Sequence, residues 1–348
     1  MNIEINGRCI GRKNRTYIVA ELSANHNQDF DQAVQLVKAA KEAEADAVKL
    51  QTYTPETITI DCDNEYFRIG KGTIWEGKNL YELYKEAYTP WEWQPQLKTI
   101  ANDLGMDLFS TPFDPTSVDF LEEMGVPAYK VASCELVDIP LIQYIAKTGK
   151  PIIISTGMAT LAEIDEAVSA AREVGCKEIA LLKCTSAYPA EPEEMNLRTI
   201  PHMAEAFGVP VGLSDHTLGI AVPVAAVALG ACIVEKHFTL YRSIPGPDST
   251  FSLEPHEFKA MVDAIRTTEK AMGEVRYKVS EHELASRIFR RSLFAVTDIN
   301  KGEMYTEDNI RAIRPGYGLH TKYVNCVLGR KASRNIKRGE PLAWSNIS

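Results

Sequence analysis

The sequence predicts an α/β protein, a (β/α)8 TIM barrel followed by a small separate C-terminal module. Three observations lead there. Over residues 16–273, eight short β-branched or apolar runs alternate with stretches whose apolar residues recur at helical spacing. These eight units fill about 260 residues, the length a closed barrel of this kind takes. Beyond residue 290 the long helical periodicity stops, and short strand-like runs broken by Gly and Pro replace it.

The eight runs are TYIVAEL, DAVKLQT, MDLFSTP, AYKVASCE, PIIIST, IALLKCTS, PVGLSD and CIVEKHF. Each of the first seven leads into an amphipathic segment such as QAVQLVKAAKEAE or LAEIDEAVSAAREVG; the eighth leads, after a loop, into EPHEFKAMVDAIRTTEKAMG. An open doubly wound sheet is the structural rival. It wants a glycine-rich phosphate loop after its first strand, and AELSANHN has no glycine. The expected domains are a barrel over 1–275, a linker over 276–290 and a module over 291–348, with the charged stretch 274–290 read as a connecting helix.

Composition bounds the function. The chain has 348 residues, 45% of them hydrophobic, enough for a sizeable core. No apolar run approaches the roughly 20 residues of a membrane helix, so no membrane partner is expected. MNIEINGRCI lacks the basic start and apolar segment of a signal peptide, which makes the cytoplasm the expected compartment. Seven cysteines show no CxxC pair, and Cys134, Cys184 and Cys232 fall in apolar strand-like runs, so no disulfide is expected. Residues 291–348 carry ten Lys or Arg against five Asp or Glu, a net +5; the rest is then −14, because the whole chain is −9.

In such a barrel, function gathers at the C-terminal ends of the strands. Polar residues recur there at spacing two, so that each pair faces one way: Glu21 and Ser23, Lys49 and Gln51, Ser133 and Glu135, Ser214 and His216, Glu235 and His237. Thr111 and Ser155 end two further strands. Any one of these is explained as a helix cap or an ion-paired side chain, but seven strand ends together point to a site. Lys49 and Lys130, with the hydroxyls of Thr111, Ser133, Ser155 and Ser214, suit a phosphate, whose charge must be neutralised and whose oxygens need several donors. His216 and His237 end neighbouring strands. They either converge on one divalent metal or form a hydrogen-bonded pair, and the residue types leave both open. Glu21, Glu135 and Glu235 are then available to hold metal-bound water or to move protons.

The motifs AELSANHN, VKLQTY, FSTPFD, YKVASCE, ISTGMAT, LLKCTSAYP, GLSDHTLG, EKHFTL and PGPD, in this order, resemble those of the sialic acid synthases. IRPGYG and LGRKASRNIKRGEPL resemble the family's C-terminal antifreeze-like (SAF) domain, a β-clip. The resemblance covers essentially the whole chain. It implies an enzyme that condenses phosphoenolpyruvate with an open-chain acetamido sugar to make a nine-carbon nonulosonic acid. GTIWEGKNLYELYKEAYTPWEW, residues 72–93, looks like the bacterial branch forming pseudaminic acid from 2,4-diacetamido-2,4,6-trideoxy-L-altrose; the N-acetylneuraminate- and legionaminate-forming branches are the rivals.

The resemblance also assigns residues. It places phosphoenolpyruvate on Lys49, Thr111, Lys130, Ser133, Ser155, Ser186 and Ser214, where Ser186 replaces the asparagine expected in the neuraminate-forming branch and reaches less far. Its metal ligands fall on His216 and His237, implying Mn²⁺, with Mg²⁺ or Co²⁺ as alternatives. Sugar contacts fall on Gln51, Glu135, Tyr188 and Asp248, and Phe294 adds an apolar wall. Glu21 and Glu135 become the candidates for directing water and managing protons. Within 72–93, Tyr81, Tyr84 or Trp91 is expected to meet a 6-deoxy methyl, helix packing being the plain alternative. Arg314, set before the Pro315-Gly316 turn, aligns with a family arginine that reaches from the SAF domain of one subunit into its partner's barrel, which implies a domain-swapped homodimer.

Two other classes remain to be weighed. A metal-dependent barrel hydrolase or sugar isomerase would use converging His and Glu but has no need of the phosphate donors. A non-enzymatic reading makes the basic tail a module for ice or nucleic acid, but the tail lacks interleaved aromatics or a recognisable motif, so no nucleic-acid partner is expected.

Overall fold

Eight parallel strands close into a barrel in the computed structural model, which describes residues 2–348. The chain divides into two units, Met1–Gly273 and Glu274–Ser348. The first opens with an antiparallel hairpin, β1 (Ile3–Ile5) and β2 (Arg8–Ile10), that the sequence reading did not assign. Its turn is Asn6-Gly7, both with positive φ (49° and 77°), the dipeptide that a tight hairpin turn selects. Ile3, Ile5 and Ile10 join the barrel's apolar cluster.

The barrel strands are β3 (Tyr17–Glu21), β4 (Ala47–Thr52), β5 (Asp107–Pro112), β6 (Tyr129–Val131), β7 (Ile152–Ser155), β8 (Ile179–Cys184), β9 (Val211–Asp215) and β10 (Ile233–His237). Each pairs in parallel with the next, and β10 closes on β3 from Ile233↔Tyr17 to His237↔Glu21. Their residues are buried almost throughout, because side chains fill the inside while helices cover the outside. The helices begin where local chemistry starts them. Asp29 and Asp114 accept hydrogen bonds from backbone N–H groups of the first turn, and Thr160 with Glu163 forms a reciprocal capping box.

Two expectations are corrected. The ladder between β6 and β7 ends at Val131↔Ile154, so Ser133 lies beyond the strand in helical backbone (φ −62°, ψ −34°) and Glu135 sits in the tight turn Cys134–Val137. Ser23 likewise lies past β3 with φ 47°. Strand alternation therefore aligns Lys49 with Gln51 and Glu235 with His237, whereas turns place Ser23, Ser133 and Glu135. The second correction concerns 274–290, which forms no single helix. It holds a four-residue helix, Glu281–Leu284, and a tight turn, Ala285–Phe289. Charge alone does not make a helix when no apolar stripe is buried, and Val275 and Tyr277 are 91% and 97% exposed.

Alternation along β9 and β10 also supports the site from behind. Asp215 and Lys236, one residue removed from Ser214, His216, Glu235 and His237, point the other way and meet in a wholly buried ion pair at 2.5 Å. Asp215 Oδ1 also accepts from Thr217 N and Oγ1 at 3.0 and 2.8 Å, so the carboxylate lies in a saturated network. In the second unit, β11 (Ser292–Ala295) pairs antiparallel with β12 (Ile310–Ile313). That pair rests on a small core that includes Leu293, Ile299, Tyr305, Ile310, Ile336 and Leu342. Among the described residues no helix is long and apolar enough to cross a membrane.

Candidate active site

The inward ends of β3, β4, β5 and β10 converge on Lys49. Its Nζ lies 2.5 Å from Glu21 Oε2 and 3.6 Å from Glu235 Oε1. It donates to Thr111 Oγ1 at 3.3 Å. Gln51 Nε2 donates to Glu21 Oε1 at 3.0 Å, and Ser214 Oγ to Glu235 Oε1 at 3.3 Å. One ammonium thus serves two buried carboxylates, and the two carboxylates diverge. Burial, with the Glu235 charge, raises Glu21 above the usual range against the pull of Lys49. Burial also works to raise Glu235, but Lys49, Lys130 and His216 together hold it below its ordinary value.

Lys130, from β6, is 1% exposed and has no such partner. Its Nζ donates to Ser155 Oγ at 2.6 Å and to the Val131 carbonyl at 2.8 Å, and among the described residues no hydrogen bond or ion pair ties it to a carboxylate. Burial lowers its pKa, with the more distant Glu235 opposing. Beside it, Ser133 Oγ accepts from Gly157 N at 3.0 Å, at the turn after β7. A Cβ on Gly157 would collide with both Ser186 Oγ and Ser133 Oγ, so only glycine lets those two hydroxyls meet against the backbone. The barrel thereby gathers Lys49, Lys130, Thr111, Ser133, Ser155, Ser186 and Ser214 around one mouth. Gly157 was not singled out in the sequence, although it lies within ISTGMAT.

His216 and His237 stand with ring centroids 5.4 Å apart. His216 Nδ1 lies 2.9 Å from the Thr185 carbonyl, which can only accept, so Nδ1 carries the proton of that bond and Nε2 is directed elsewhere. Burial, then the charges of His216, Lys49 and Lys236, hold His237 far below its ordinary pKa, and its buried Nδ1 has no partner. Burial pulls His216 down, but contact with Cys184, the Thr185 carbonyl and Asp215 outweigh it and raise the group. Among the described residues no group of three His, Cys, Asp or Glu forms a metal cluster, so the chain offers a metal two imidazoles. The unpartnered Nδ1 of His237 fits a divalent ion, whose other positions would be left to water and substrate.

An aromatic wall borders the histidines. The Tyr188 ring lies 4.3 Å from His216, 5.1 Å from Phe251 and 5.4 Å from Trp75, and Phe251 lies 4.8 Å from His237. Asp248 accepts from Ser23 Oγ in a very short contact, and burial with the Glu21 charge pushes it up to about 7. Glu135 is also raised to about 7, by burial and then Asp138 against Lys130, and its Oε2 has no partner. Two of the residues expected to face the sugar take packing roles instead. Tyr81 donates to Glu56 at 2.6 Å on the surface, and Trp91 stacks on Phe120 at 4.8 Å and donates to the Tyr53 carbonyl. Tyr84 packs edge-on against Tyr53 at 5.6 Å. Trp75 and Phe251 were missed, since neither sits at a strand end. In the second unit, Phe294 is buried on β11, while Arg314 is exposed just after β12 with no hydrogen-bond or ion-pair partner among the described residues.

A parallel eight-stranded barrel whose mouth holds two buried ammoniums, a ring of hydroxyls and two imidazoles is an α/β-barrel protein built for an anionic ligand. Residues 36–277 match the NeuB family and residues 290–348 the SAF domain. The chain belongs to the NeuB, or sialic acid synthase, family. It is 47% identical to the pseudaminic acid synthase of Helicobacter pylori over 95% of this chain and 97% of that protein. It is 38% identical to the N,N'-diacetyllegionaminic acid synthase of Legionella pneumophila over 99% of each. Among solved structures, the N-acetylneuraminic acid synthetase from Leptospira borgpetersenii in complex with citrate superposes with a TM-score of 0.73 at 31% identity, covering 82% of this chain and 95% of that one.

The raised Glu135 predicts a pH effect on stability. A carboxyl whose folded pKa, about 7, exceeds its unfolded value of 4.5 favours the fold below pH 4.5 and loses that contribution as pH rises through 7. Glu135→Gln stays neutral throughout. Urea unfolding of both forms at pH 5 and pH 8 is expected to show the wild type losing ground to the variant between the two. An unchanged difference would mean that Glu135 is not raised.

Proposed function

We propose that the chain condenses phosphoenolpyruvate with 2,4-diacetamido-2,4,6-trideoxy-L-altrose to give pseudaminic acid and phosphate. The observation that carries the reading is Lys130, a buried ammonium bonded to a hydroxyl and a carbonyl but to no carboxylate. Leaving such a charge uncompensated is costly, and a phosphate or carboxylate of phosphoenolpyruvate compensates it. Identity of 47% to a pseudaminic acid synthase, against 38% to a legionaminic acid synthase, supports this choice of sugar.

The chain's own groups divide the work. Lys49, Lys130, Thr111, Ser133, Ser155, Ser186 and Ser214 hold the phosphate and carboxylate, with Gly157 admitting the two serines. Gln51, Tyr188 and Asp248 orient the sugar. His216 and His237 would hold a divalent metal, Mn²⁺ first and Mg²⁺ or Co²⁺ next, which would polarise the sugar aldehyde. In the balance of the reaction, C3 of phosphoenolpyruvate bonds to the aldehyde carbon, whose oxygen gains a proton. Water adds at C2 and gives up two protons, one balancing the proton gained by the aldehyde oxygen and one leaving with the phosphate as the C2–O bond breaks, so that C2 becomes a ketone. Glu21 is locked to Lys49 and Gln51, so it fixes that ammonium. Glu135, with a free oxygen and a pKa of about 7, is the group placed to exchange protons near neutral pH.

The second unit acts in trans in this reading. Arg314 is exposed and unpartnered in its own unit among the described residues, and large apolar residues after the barrel strands, Val137, Met158 and Leu218 in turns and Leu161 at the start of a helix, lie exposed. A domain-swapped homodimer would cover them and bring Arg314 of one subunit to the sugar held by the other.

Two tests follow. Phosphate release is expected only when phosphoenolpyruvate and the diacetamido sugar are both present, to stop on chelation and to return with Mn²⁺. Full activity in chelated protein, or a preference for N-acetylmannosamine, would contradict the reading. Mixing inactive Arg314→Ala with inactive His237→Ala is expected to restore part of the activity after subunit exchange, because some heterodimers then hold one site with both residues intact. No recovery in demonstrated heterodimers would place Arg314 outside its partner's site.

A further inference from the structure

We propose that Trp75 is a specificity-determining residue, the wall against which the C6 end of the sugar is measured; this rests on the reading that the mouth binds an acetamido sugar. Trp75 belongs to the irregular stretch 61–79, which folds back on itself. Arg68 forms a bidentate pair with Asp63 at 3.0 and 3.0 Å and bridges to Asn79, whose Nδ2 donates to the Cys62 carbonyl at 2.7 Å. Ile69 N donates to the Lys78 carbonyl at 2.9 Å, and Gly77 N to the Ile69 carbonyl at 3.0 Å. The ends of the stretch are therefore tied together, which makes it a compact loop able to present a side chain in one place.

The side chain it presents is half-buried Trp75. The indole Nε1 donates to the Pro247 carbonyl at 3.0 Å, directly before Asp248, so the one polar edge of the ring is already satisfied. What remains is an apolar face, tilted 56° to Tyr188 at 5.4 Å. Tyr188 in turn lies 4.3 Å from His216. The order outward from the histidines is thus imidazole, phenol, indole. A six-carbon open-chain sugar held by its C1 oxygen at the histidines extends its far end along this series, and the last surface it meets is the indole. A C6 methyl is at home there, whereas a C6 hydroxyl would meet a face with no hydrogen-bonding capacity left. Trp75 meets Tyr188, which stands between it and His216, so its action is on which sugar is accepted.

A merely structural role is the competing explanation, since the same N–H ties the loop to the Asp248 segment. Two variants separate the roles, because Trp75→Phe keeps an apolar face without the N–H and Trp75→Ala removes both. In steady-state kinetics, Trp75→Ala is expected to raise KM for the 6-deoxy diacetamido sugar about tenfold, with KM for phosphoenolpyruvate within about twofold. The preference in kcat/KM for that sugar over its 6-hydroxy counterpart is expected to shrink about tenfold as well. Trp75→Phe should stay within about threefold of wild type in all three. Titrating the sugar onto metal-loaded protein without phosphoenolpyruvate, where no condensation can occur, should change tryptophan emission in the wild type and not in Trp75→Phe. Equal losses in both variants, or an unchanged sugar KM and preference in Trp75→Ala, would overturn the proposal. A wild type that turns over no acetamido sugar at all would overturn the underlying reading, a result distinct from a failure of Trp75 alone.

Discussion

The structure depends on how a barrel accommodates two ammoniums in its interior. Lys49 and Lys130 are both buried, yet Lys49 takes both nearby carboxylates, Glu21 and Glu235. Lys130 is left with a serine hydroxyl and a backbone carbonyl. In a medium of low polarity an ammonium without a directly paired carboxylate favours an anion beside it, which is the basis of the binding role proposed for Lys130. The surrounding serines are the proposed donors to such an anion, and a Cβ on Gly157 would collide with the hydroxyls of two of them, Ser133 and Ser186.

Strand alternation separates function from support. Along β9 and β10, Ser214, Glu235 and His237 alternate with Asp215 and Lys236, His216 follows directly after β9, and Asp215 and Lys236 form a fully buried ion pair on the opposite face. The two strand ends that carry the imidazoles are thereby cross-linked a single residue away from each ring. Electrostatics extend the same economy: burial, then the charges of His216, Lys49 and Lys236, hold His237 far below its ordinary pKa, while burial raises Glu135 and Asp248 to about 7.

The barrel was legible because strands buried on both faces read as continuous apolar runs, and each ended on a polar residue. Lys49 with Gln51 and Glu235 with His237 followed from alternation alone. Ser23, Ser133 and Glu135 did not, since their strands stop short and turns set their directions. The hairpin β1–β2 carried its Asn6-Gly7 signal but is too short for periodicity to reveal. Tyr81 and Trp91 stood out as aromatic residues of the 72–93 segment, where surface and packing contacts use them. Trp75 lies in a loop with no period, and only its contacts with Tyr188 and Pro247 disclose it. The connecting stretch 274–290 looked helical from its charges, but its apolar residues stay exposed instead of forming a buried stripe.

The claim that Lys130 awaits the substrate's anion is tested most directly by calorimetric titration of phosphoenolpyruvate alone into wild type and Lys130→Met. Methionine fills similar space without charge, so a loss of binding reports the ammonium rather than packing. A charge-assisted contact of this kind contributes about 1.5–3 kcal/mol, and the account predicts affinity lower by roughly 10- to 150-fold with the fold intact. Equal affinity in the two proteins would contradict it.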